Sequence, residues 1–420
     1  MVMVLKRTLT GKRMRQSWTR RVWPGKRALA PSASGWAVGL ALWVCGSIAA
    51  LGQPTNEHEP AAKNDRGYVY LHDVVPGVPW SIHLVKFELG RPELELHTTL
   101  GGGATLGVGL VSDQAKTVPA EVGRPIAALN GDYYLSSREC PGDPEGLQIR
   151  QGELISAPSE KRSCFWVDAA GNPHLAKVGS AFQVSWPNGT TTPIGLNEER
   201  AGDVAVLYTP AKGASTRTAS GVELVLRPQP GSPWLPLAVG QTFTAQISET
   251  VERGNAPLKP GVMVLSLSPQ LLARLPRPAV GEVVRISTLT TPNLKGAKTA
   301  LGGGPSVVVG GKAVHFTDTY GRHPRAAIGW NREHFFLVEV DGRQRNLSLG
   351  MTLNELAAYM VKLGCSEALN LDGGGSATLW VLGTVMSSPS EGHERPAANA
   401  LVLVQKAKEG TDKNFLTRGQ

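Results

Sequence analysis

The chain has 420 residues, of which 41% are hydrophobic and 18% are charged, a composition typical of a folded protein with a substantial core. Its net charge of +9 comes from the first 52 residues, which hold nine lysines and arginines and no acidic residue. The rest of the chain carries 34 basic and 34 acidic side chains. This balance argues against a nucleic-acid-binding protein, because the charges after residue 52 imply no basic face.

The basic leader precedes an apolar run at residues 35–51, and small residues crowd the end of that run. This order predicts that residues 1–52 are a signal peptide or an uncleaved N-terminal anchor. We expect an exported protein, periplasmic, extracellular or anchored at the cell envelope, with membrane attachment only through the apolar run. Residues 53–66 are polar and resemble a linker, and residues 407–420 form a polar tail.

Residues 67–406 are predicted to form an α+β domain with β-rich mixed sheets and few helices. Alternating apolar residues predict strands at 81–89 and 93–97, and a short apolar run predicts another at 125–129. The middle of the domain, from about 180 to 290, is β-rich and punctuated by turn signals.

Helical periodicity is clear at residues 352–363 and weaker at 111–117. Thr352 and Glu355 form a capping-box pattern, and Gly364 supplies a C-terminal stop. We therefore expect one well-defined helix near the end of the domain.

Three cysteines follow the leader. Cys140 and Cys164 flank a loop-rich segment, and in an oxidising compartment a disulfide between them would close a 25-residue loop and stabilise the fold by about 3 kcal/mol. Cys365 follows the predicted helix and is expected to be a buried thiol. No paired spacing such as C-x-x-C or H-E-x-x-H is present, so no metal site is predicted.

The most informative stretch is Ala368–Leu379, where a predicted strand leads into Asp372, three glycines and Ser376. The N–H groups of consecutive glycines can converge on an anion, while the carboxylate and the hydroxyl supply acid, base or hydrogen-bonding groups. A glycine-rich turn capped by an aspartate explains the same residues. Taken alone, the motif leaves both interpretations open.

Two similar clusters occur earlier in the chain. Asn130 and Asp132 follow an apolar strand, where they either bind sugar hydroxyls and water or form an Asx-turn. Gly303 and Gly304 belong to a second glycine-rich segment, Leu301–Ser306, whose alternative is a hairpin turn.

Two charged segments complete the set. Arg325 opens an apolar strand, and an arginine fixed there suits a bidentate grip on phosphate, although most arginines are simply solvated. The loop 391–396 carries charges of both signs, for which surface salt bridging is the default explanation.

The order of these clusters resembles the phosphodiester glycosidase family over roughly residues 80–405, and most strongly after residue 300. At the position where that family commonly has threonine after the Arg325 equivalent, this chain has Ala326. The motifs that carry the resemblance are Asn130–Tyr134, Gly302–Pro305, Arg325–Gly329, Val340–Gln344, Gly350–Leu356 and Asn370–Ser376.

The resemblance implies a hydrolase that cleaves the sugar C1–O bond of a glycan 1-phosphodiester, with an N-acetylglucosamine-like sugar in a cell-envelope or polysaccharide substrate. It implies Asp372 as the main catalytic carboxylate, with Asp132 or Glu145 as its partner, and Arg325 as stabiliser of the departing phosphate. The substrate-binding residues that we expect are Asn130, Gly303, Gly304, Asn370, Gly373, Gly374, Gly375 and Ser376.

Two other functions remain open at this point. One is a phosphodiesterase that breaks the P–O bond with a calcium or magnesium ion held by Asp132 and Asp372. The other is a secreted carbohydrate-binding protein without catalysis. The glycosidase interpretation needs no cofactor.

Overall fold

The structure is a computed structural model that describes residues 66–75, 77–275, 277–317 and 321–406. The predicted leader or anchor, nearly all of the predicted linker and the polar tail lie outside the described residues. The described residues belong to one compact unit. No helix among the described residues is long and apolar enough to cross a membrane.

Strands dominate the described part of the chain. In chain order they are β1 Tyr68–Val75, β2 Trp80–Glu88, β3 Leu94–Thr98, β4 Arg124–Asn130, β5 Tyr134–Leu135, β6 Asp143–Pro144, β7 Gln148–Arg150, β8 Glu153–Ser156, β9 Ser163–Val167, β10 Pro173–Lys177, β11 Gly179–Ser185, β12 Thr191–Leu196, β13 Ala205–Tyr208, β14 Val222–Pro228, β15 Thr242–Val251, β16 Met263–Leu267, β17 Val283–Thr291, β18 Thr299–Gly303, β19 Ser306–Val309, β20 Lys312–Ala313, β21 Arg325–Trp330, β22 His334–Val340, β23 Glu367–Asn370, β24 Leu379–Val381, β25 Thr384–Val385 and β26 Ala400–Gln405. The helices are α1 Val111–Lys116, α2 Pro269–Leu272 and α3 Leu353–Lys362, and short 3-10 turns occupy Pro210–Lys212 and Gly374–Ser376. This content confirms the predicted β-rich fold with few helices.

The strands assemble into three larger sheets and a barrel, besides the short pair β5 and β6. Sheet I has the order β1-β2-β22-β21-β23-β19-β20, sheet II has β25-β24-β4-β26-β3, and sheet III has β10-β9-β18-β7-β8. The barrel closes in the order β11-β12-β13-β16-β14-β15-β17. Neighbouring strands are antiparallel, except that β12 and β13 run parallel.

Sheets I and II pack face to face around a buried apolar core that includes Leu129, Ile328 and Leu401. Helix α3 covers the outer face of sheet I with residues such as Leu356. Helix α1 covers sheet II with residues such as Val111. The result is a layered α/β/β/α arrangement.

The barrel accounts for the β-rich middle region expected from the sequence. It has its own core, which includes Phe243 and Ile286. Sheet III joins this core to the layered part, because Cys164 on β9 packs into the barrel core while its neighbour Phe165 packs between sheets I and II.

The capping signals in the sequence predicted the position of helix α3 correctly. The Thr352 hydroxyl accepts a hydrogen bond from the Glu355 N–H, and the Glu355 carboxylate accepts one from the Thr352 N–H, which completes the capping box. Gly364 follows the helix with φ 82°, a conformation that favours glycine. The weaker helical pattern at 111–117 is also confirmed by α1.

The structure corrects the predicted disulfide, because Cys140 and Cys164 are both free, buried thiols. The Cys140 sulfur accepts a hydrogen bond from the Lys212 ammonium group, and burial raises the pKa of this thiol to about 11. Cys164 instead sits within sheet III, opposite Gly302 on β18. Cys365 is buried, as expected.

Candidate active site

Three strand ends from two sheets define the candidate site. In sheet II, β4 ends at Asn130, while in sheet I β21 begins at Arg325 and β23 ends at Asn370. The Asp372 N–H donates to the Gly131 carbonyl over 3.0 Å, so the segments after β4 and β23 run together. The motifs that are far apart in sequence therefore meet where sheets I and II adjoin.

Asn130 holds these segments in place. Its side chain is fully buried, its Nδ2 donates to the Asp372 carbonyl over 2.7 Å, and its Oδ1 accepts from the Thr378 N–H over 3.0 Å. Both ends of the amide are thus engaged within the protein. Asn130 therefore positions the loop that carries Asp372, and its contact with substrate stays a prediction.

The Asp372 carboxyl is half-buried beside its own glycine loop. Its Oδ1 accepts a hydrogen bond of 2.9 Å from the Gly373 N–H. Burial raises the pKa of Asp372, while the Ser376 hydroxyl and the charge of Arg395 lower it. The Ser376 hydroxyl faces this carboxyl, although no hydrogen bond of good geometry joins the two. The net rise in pKa suits a carboxyl that exchanges protons.

The glycine triplet serves close packing more than direct anion binding. The Gly373 N–H is bonded to the Asp372 side chain, and the Gly374 N–H donates to the Pro324 carbonyl over 2.9 Å. A Cβ atom at Gly375 would lie 2.3 Å from Nη2 of Arg395. These contacts correct the expectation that the N–H groups of Gly373 and Gly374 stand free for a phosphate.

Three arginines surround the glycine loop instead. Arg325 is buried, its Nε donates to the Met351 carbonyl over 2.9 Å, and its Nη2 has no hydrogen-bond partner among the described residues. Nη2 of Arg343 lies 3.0 Å from the position that a Cβ of Gly374 would take, and Arg395 lies over Gly375. Arg395 is paired with Glu391, and the charge of Arg343 lowers the pKa of Arg325. Guanidinium groups are well suited to binding phosphate oxygens.

Arg343 and Arg395 were not singled out as site residues from the sequence. Arg395 makes the expected salt bridge with Glu391 in the charged loop 391–396. The sequence did not show that this arginine also lies against Gly375. Arg343 adopts φ 62°, a left-handed conformation that non-glycine residues rarely take and that is often found at functional sites.

Tyr133, also missed from the sequence, links the parts of the site. Its hydroxyl accepts a hydrogen bond of 2.9 Å from Nδ2 of Asn370, and the Arg162 guanidinium lies 4.5 Å from its ring centroid. Burial and the charge of Asp372 raise the pKa of Tyr133, while the charge of Arg325 lowers it. Tyr133 is therefore near both Asp372 and Arg325.

The Asp132 side chain is buried next to Tyr133. Only 1% of it is exposed, its Oδ1 accepts from the Tyr133 N–H over 2.8 Å, and its Oδ2 has no hydrogen-bond partner of good geometry among the described residues. Burial raises the pKa of Asp132 to about 7, against the lowering effect of Arg162. Gly302 leaves the room that Asp132 needs, since a Cβ there would lie 2.2 Å from Oδ2. Such an enclosed carboxyl does not contact a substrate in this conformation.

Glu145 occupies a more accessible position, with 29% of its side chain exposed, and forms a salt bridge with Arg162. Its charge raises the pKa of both Asp132 and Asp372. Glu145 is therefore a partly exposed carboxylate whose charge acts on both Asp132 and Asp372.

Gly303 and Gly304 pack against β23. A Cβ at Gly303 would lie 3.0 Å from the Asn370 carbonyl, and the Gly304 N–H donates to that same carbonyl over 2.8 Å. Their segment joins β18 of sheet III to β19 of sheet I, so it is not a hairpin. These contacts give the two glycines a packing role, and their contact with substrate stays a prediction.

A cavity of about 700 Å³ lies elsewhere, beside the opposite end of β21 from Arg325. Trp330, Arg332 and Asp168 are among its lining residues, and none of the candidate site residues is. The candidate site rests on converging side chains and not on this cavity.

Sequence comparison finds a known family in the later part of the chain, which holds Arg325, Arg343, Asp372 and Arg395. Residues 238–404 match the family model described as phosphodiester glycosidase, which confirms the resemblance drawn from the motifs. Among individual proteins, the bovine N-acetylglucosamine-1-phosphodiester alpha-N-acetylglucosaminidase is 41% identical over 68 residues. That alignment covers 16% of this chain and 12% of the bovine enzyme, so the chain spans only a small part of this relative.

Solved structures share the fold. A hypothetical protein from Synechocystis has a TM-score of 0.64 and 20% identity, over 81% of this chain and 62% of that one. A protein of Burkholderia pseudomallei K96243 that is proposed to be exported has a TM-score of 0.61 and 21% identity, over 77% of this chain and 74% of that one. At these identities the likeness concerns the fold alone.

Proposed function

We propose that this protein hydrolyses the C1–O bond of a glycosyl 1-phosphodiester. The observation that carries the proposal is the half-buried carboxyl of Asp372 on a glycine loop that Arg325, Arg343 and Arg395 surround. The phosphodiester glycosidase match of residues 238–404 supports the same reaction class.

The chemistry of the substrate explains why arginines dominate the site. The group that leaves C1 is a phosphate monoester, which is a weak base and needs charge stabilisation more than a proton. Arg325 has a buried Nη2 with no hydrogen-bond partner in the described part of the chain, so it is placed to take up negative charge as the bond breaks. The Asp372 carboxylate then stabilises the oxocarbenium-like carbon or activates the attacking water.

The remaining carboxyls divide into two roles. Glu145 is accessible and affects the pKa of Asp372, so we assign it as the partner carboxylate. Asp132 is enclosed and holds the Tyr133 backbone, so we assign it a positioning role. Asn370 donates to the Tyr133 hydroxyl, and the charges of Asp372 and Arg325 both act on Tyr133, so we assign this pair a positioning role between the two groups.

We further propose an N-acetylglucosamine-like sugar and an exported location, with a cell-envelope or polysaccharide substrate. The sugar is supported by the name of the bovine relative, and export by the basic and apolar leader at residues 1–52.

Two alternatives predict different behaviour. A metal-dependent phosphodiesterase would need Asp132 and Asp372 to share a cation, yet the Asp132 carboxyl is enclosed against Gly146 and Gly302. A carbohydrate-binding protein would retain the sugar without releasing a product.

The test is to incubate the full chain with an alkyl phosphodiester of N-acetylglucosamine 1-phosphate and to identify the products by mass spectrometry. The proposal predicts free sugar and an alkyl phosphate, and little turnover by Asp372→Asn. Release of sugar 1-phosphate would contradict it, as would saturable binding without any product. Glucose and mannose analogues tested in parallel report on the choice of sugar.

A further inference from the structure

A second cluster of ionisable side chains lies on sheet I, on the face opposite to Arg325. His83 on β2 is the direct cross-strand partner of Glu339 on β22, so the two side chains stand side by side. Glu339 also pairs with Ala326, the residue after Arg325, and successive side chains of a strand point to opposite faces. Asp341 follows β22, and its Oδ2 lies 3.0 Å from Nε2 of His83.

The cluster is almost closed to solvent. His83, Glu339 and Asp341 are 5%, 1% and 1% exposed, and one ligand atom from each lies within 4.8 Å of the others. Oε2 of Glu339 has no hydrogen-bond partner among the described residues. Burial and the charge of Asp341 raise the pKa of Glu339 well above its ordinary value. Two carboxylates in such a place are costly unless a positive charge neutralises them.

Hydrogen bonds from neighbouring residues fix the orientation of the His83 and Asp341 side chains. The Tyr70 hydroxyl lies 2.8 Å from Nδ1 of His83, and a proton donated from Nδ1 leaves the Nε2 lone pair free. Asp341 accepts hydrogen bonds from the Ser81 hydroxyl over 2.8 Å and from the Ser388 N–H over 2.6 Å. Metal-binding residues are held by their surroundings in this way.

We infer that His83, Glu339 and Asp341 bind a divalent transition-metal ion, with Zn²⁺ the best match. Imidazole nitrogen and carboxylate oxygen are both ligand types that Zn²⁺ accepts, and three protein ligands leave the fourth position of a tetrahedral ion for water. Two such ligands, each about 2.0–2.1 Å from a tetrahedral ion, lie about 3.3 Å apart. The 3.0 Å between Nε2 of His83 and Oδ2 of Asp341 is close to this value.

The ion would connect parts of the chain that are distant in sequence. His83 and Asp341 are 258 residues apart, and the contact between Asp341 and Ser388 extends the link to the segment after β25. The positive charge of the metal ion would also offset the negative charges of the buried Glu339 and Asp341 carboxylates. We therefore expect the ion to stabilise the fold.

The Glu339→Gln variant distinguishes two states of the cluster. In one the cluster binds a metal ion, and in the other Glu339 is protonated and no metal is bound. The full chain is stripped with a chelator, transferred to chelator-free buffer and titrated with Zn²⁺ by calorimetry. We expect one equivalent to bind and to raise Tm, and Glu339→Gln to lower the affinity at least tenfold. His174→Gln is the matched control, because it removes a more exposed histidine from a pair with Asp168 and should leave binding unchanged.

Absence of saturable Zn²⁺ binding, or equal affinity in wild type and Glu339→Gln, would overturn the inference. If Glu339→Gln does not fold, wild-type crystals soaked in Zn²⁺ decide the question by anomalous scattering at the zinc edge. A peak among the three side chains supports the site, and its absence refutes it. None of these readouts depends on the hydrolytic activity proposed above.

Discussion

The side-chain amide of Asn130 donates a hydrogen bond of 2.7 Å to the main-chain carbonyl of Asp372, which lies 242 residues further along the chain. This bond joins the end of a strand in sheet II to the glycine loop that follows a strand in sheet I. The position of the Asp372 carboxyl therefore depends on how the two sheets pack.

Replacing Asn130 with alanine should destabilise the protein by about 2–4 kcal/mol, because the Thr378 N–H and the Asp372 carbonyl lose their partner in a buried place. Urea denaturation measures the loss. Asn188→Ala, at an exposed turn, is the control and should cost less than about 1 kcal/mol. A similar cost at both positions would show that the buried amide does not hold the loop.

Asp132→Asn should change how stability depends on pH. Burial raises the pKa of Asp132 from 3.8 to about 7, so the folded state retains a proton that the unfolded state releases. Wild-type stability should thus fall as pH rises from about 4 to 7 and then level off. The neutral asparagine removes this contribution, and linkage converts the rise in pKa to about 4 kcal/mol in favour of the variant above pH 7.

Asp168→Asn provides a control of opposite sign for that experiment. Burial raises the pKa of Asp168, but the combined hydrogen bonds from His174, Asn172 and the Ala170 N–H outweigh it and lower the pKa to about 2. Its contribution to stability is therefore present at neutral pH and lost as pH falls below about 4. Parallel pH profiles for the two variants, measured by urea denaturation, would contradict the assigned environments.

Arg325→Ala should lower kcat by about 10²-fold or more, because a buried guanidinium in a site with little water stabilises the charge that builds on the leaving phosphate. Arg322→Ala is the matched control three residues earlier. Arg322 pairs with Glu355 at the start of α3, so its loss should cost at most about 1 kcal/mol of stability and leave kcat unchanged. Equal losses of kcat would mean that general disruption, and not Arg325 itself, reduces the rate.

Gly375→Ala should reduce activity while the protein stays folded. The added Cβ would lie 2.3 Å from Nη2 of Arg395, whose side chain is partly exposed and free to move away from the loop. Gly131→Ala, by contrast, would place a Cβ 2.1 Å from Oδ1 of the buried Asn399 and should be strongly destabilising. Steady-state kinetics and thermal melts of both variants check this difference, and full activity of Gly375→Ala would remove Arg395 from the proposed site.

Local sequence signals predicted much of the fold. The capping box at Thr352 and Glu355 and the stop at Gly364 lie within one short segment, so α3 was readable from neighbouring residues alone. The same holds for the strands at the start of the domain. The strand order of the sheets was not readable, since partners such as β2 and β22 are far apart in the chain.

The sequence predicted only those parts of the site that lie in local motifs. Asp372 and Arg325 stand in recognisable motifs, whereas the approach of Arg343 and Arg395 to the glycines depends on loops that pack only in the folded protein. The predicted disulfide was wrong because the flanking sequence does not show that Cys164 lies within sheet III.

Isotope labelling tests the central claim most directly, since cleavage at carbon and cleavage at phosphorus can yield the same free sugar. Hydrolysis of the alkyl phosphodiester of N-acetylglucosamine 1-phosphate is run in oxygen-18 water, and both products are analysed at once by mass spectrometry. Attack at carbon, assisted by Asp372 and Arg325, predicts the label at C1 of the released sugar and none in the alkyl phosphate. Label in the phosphate would contradict the account, because water would then have attacked phosphorus.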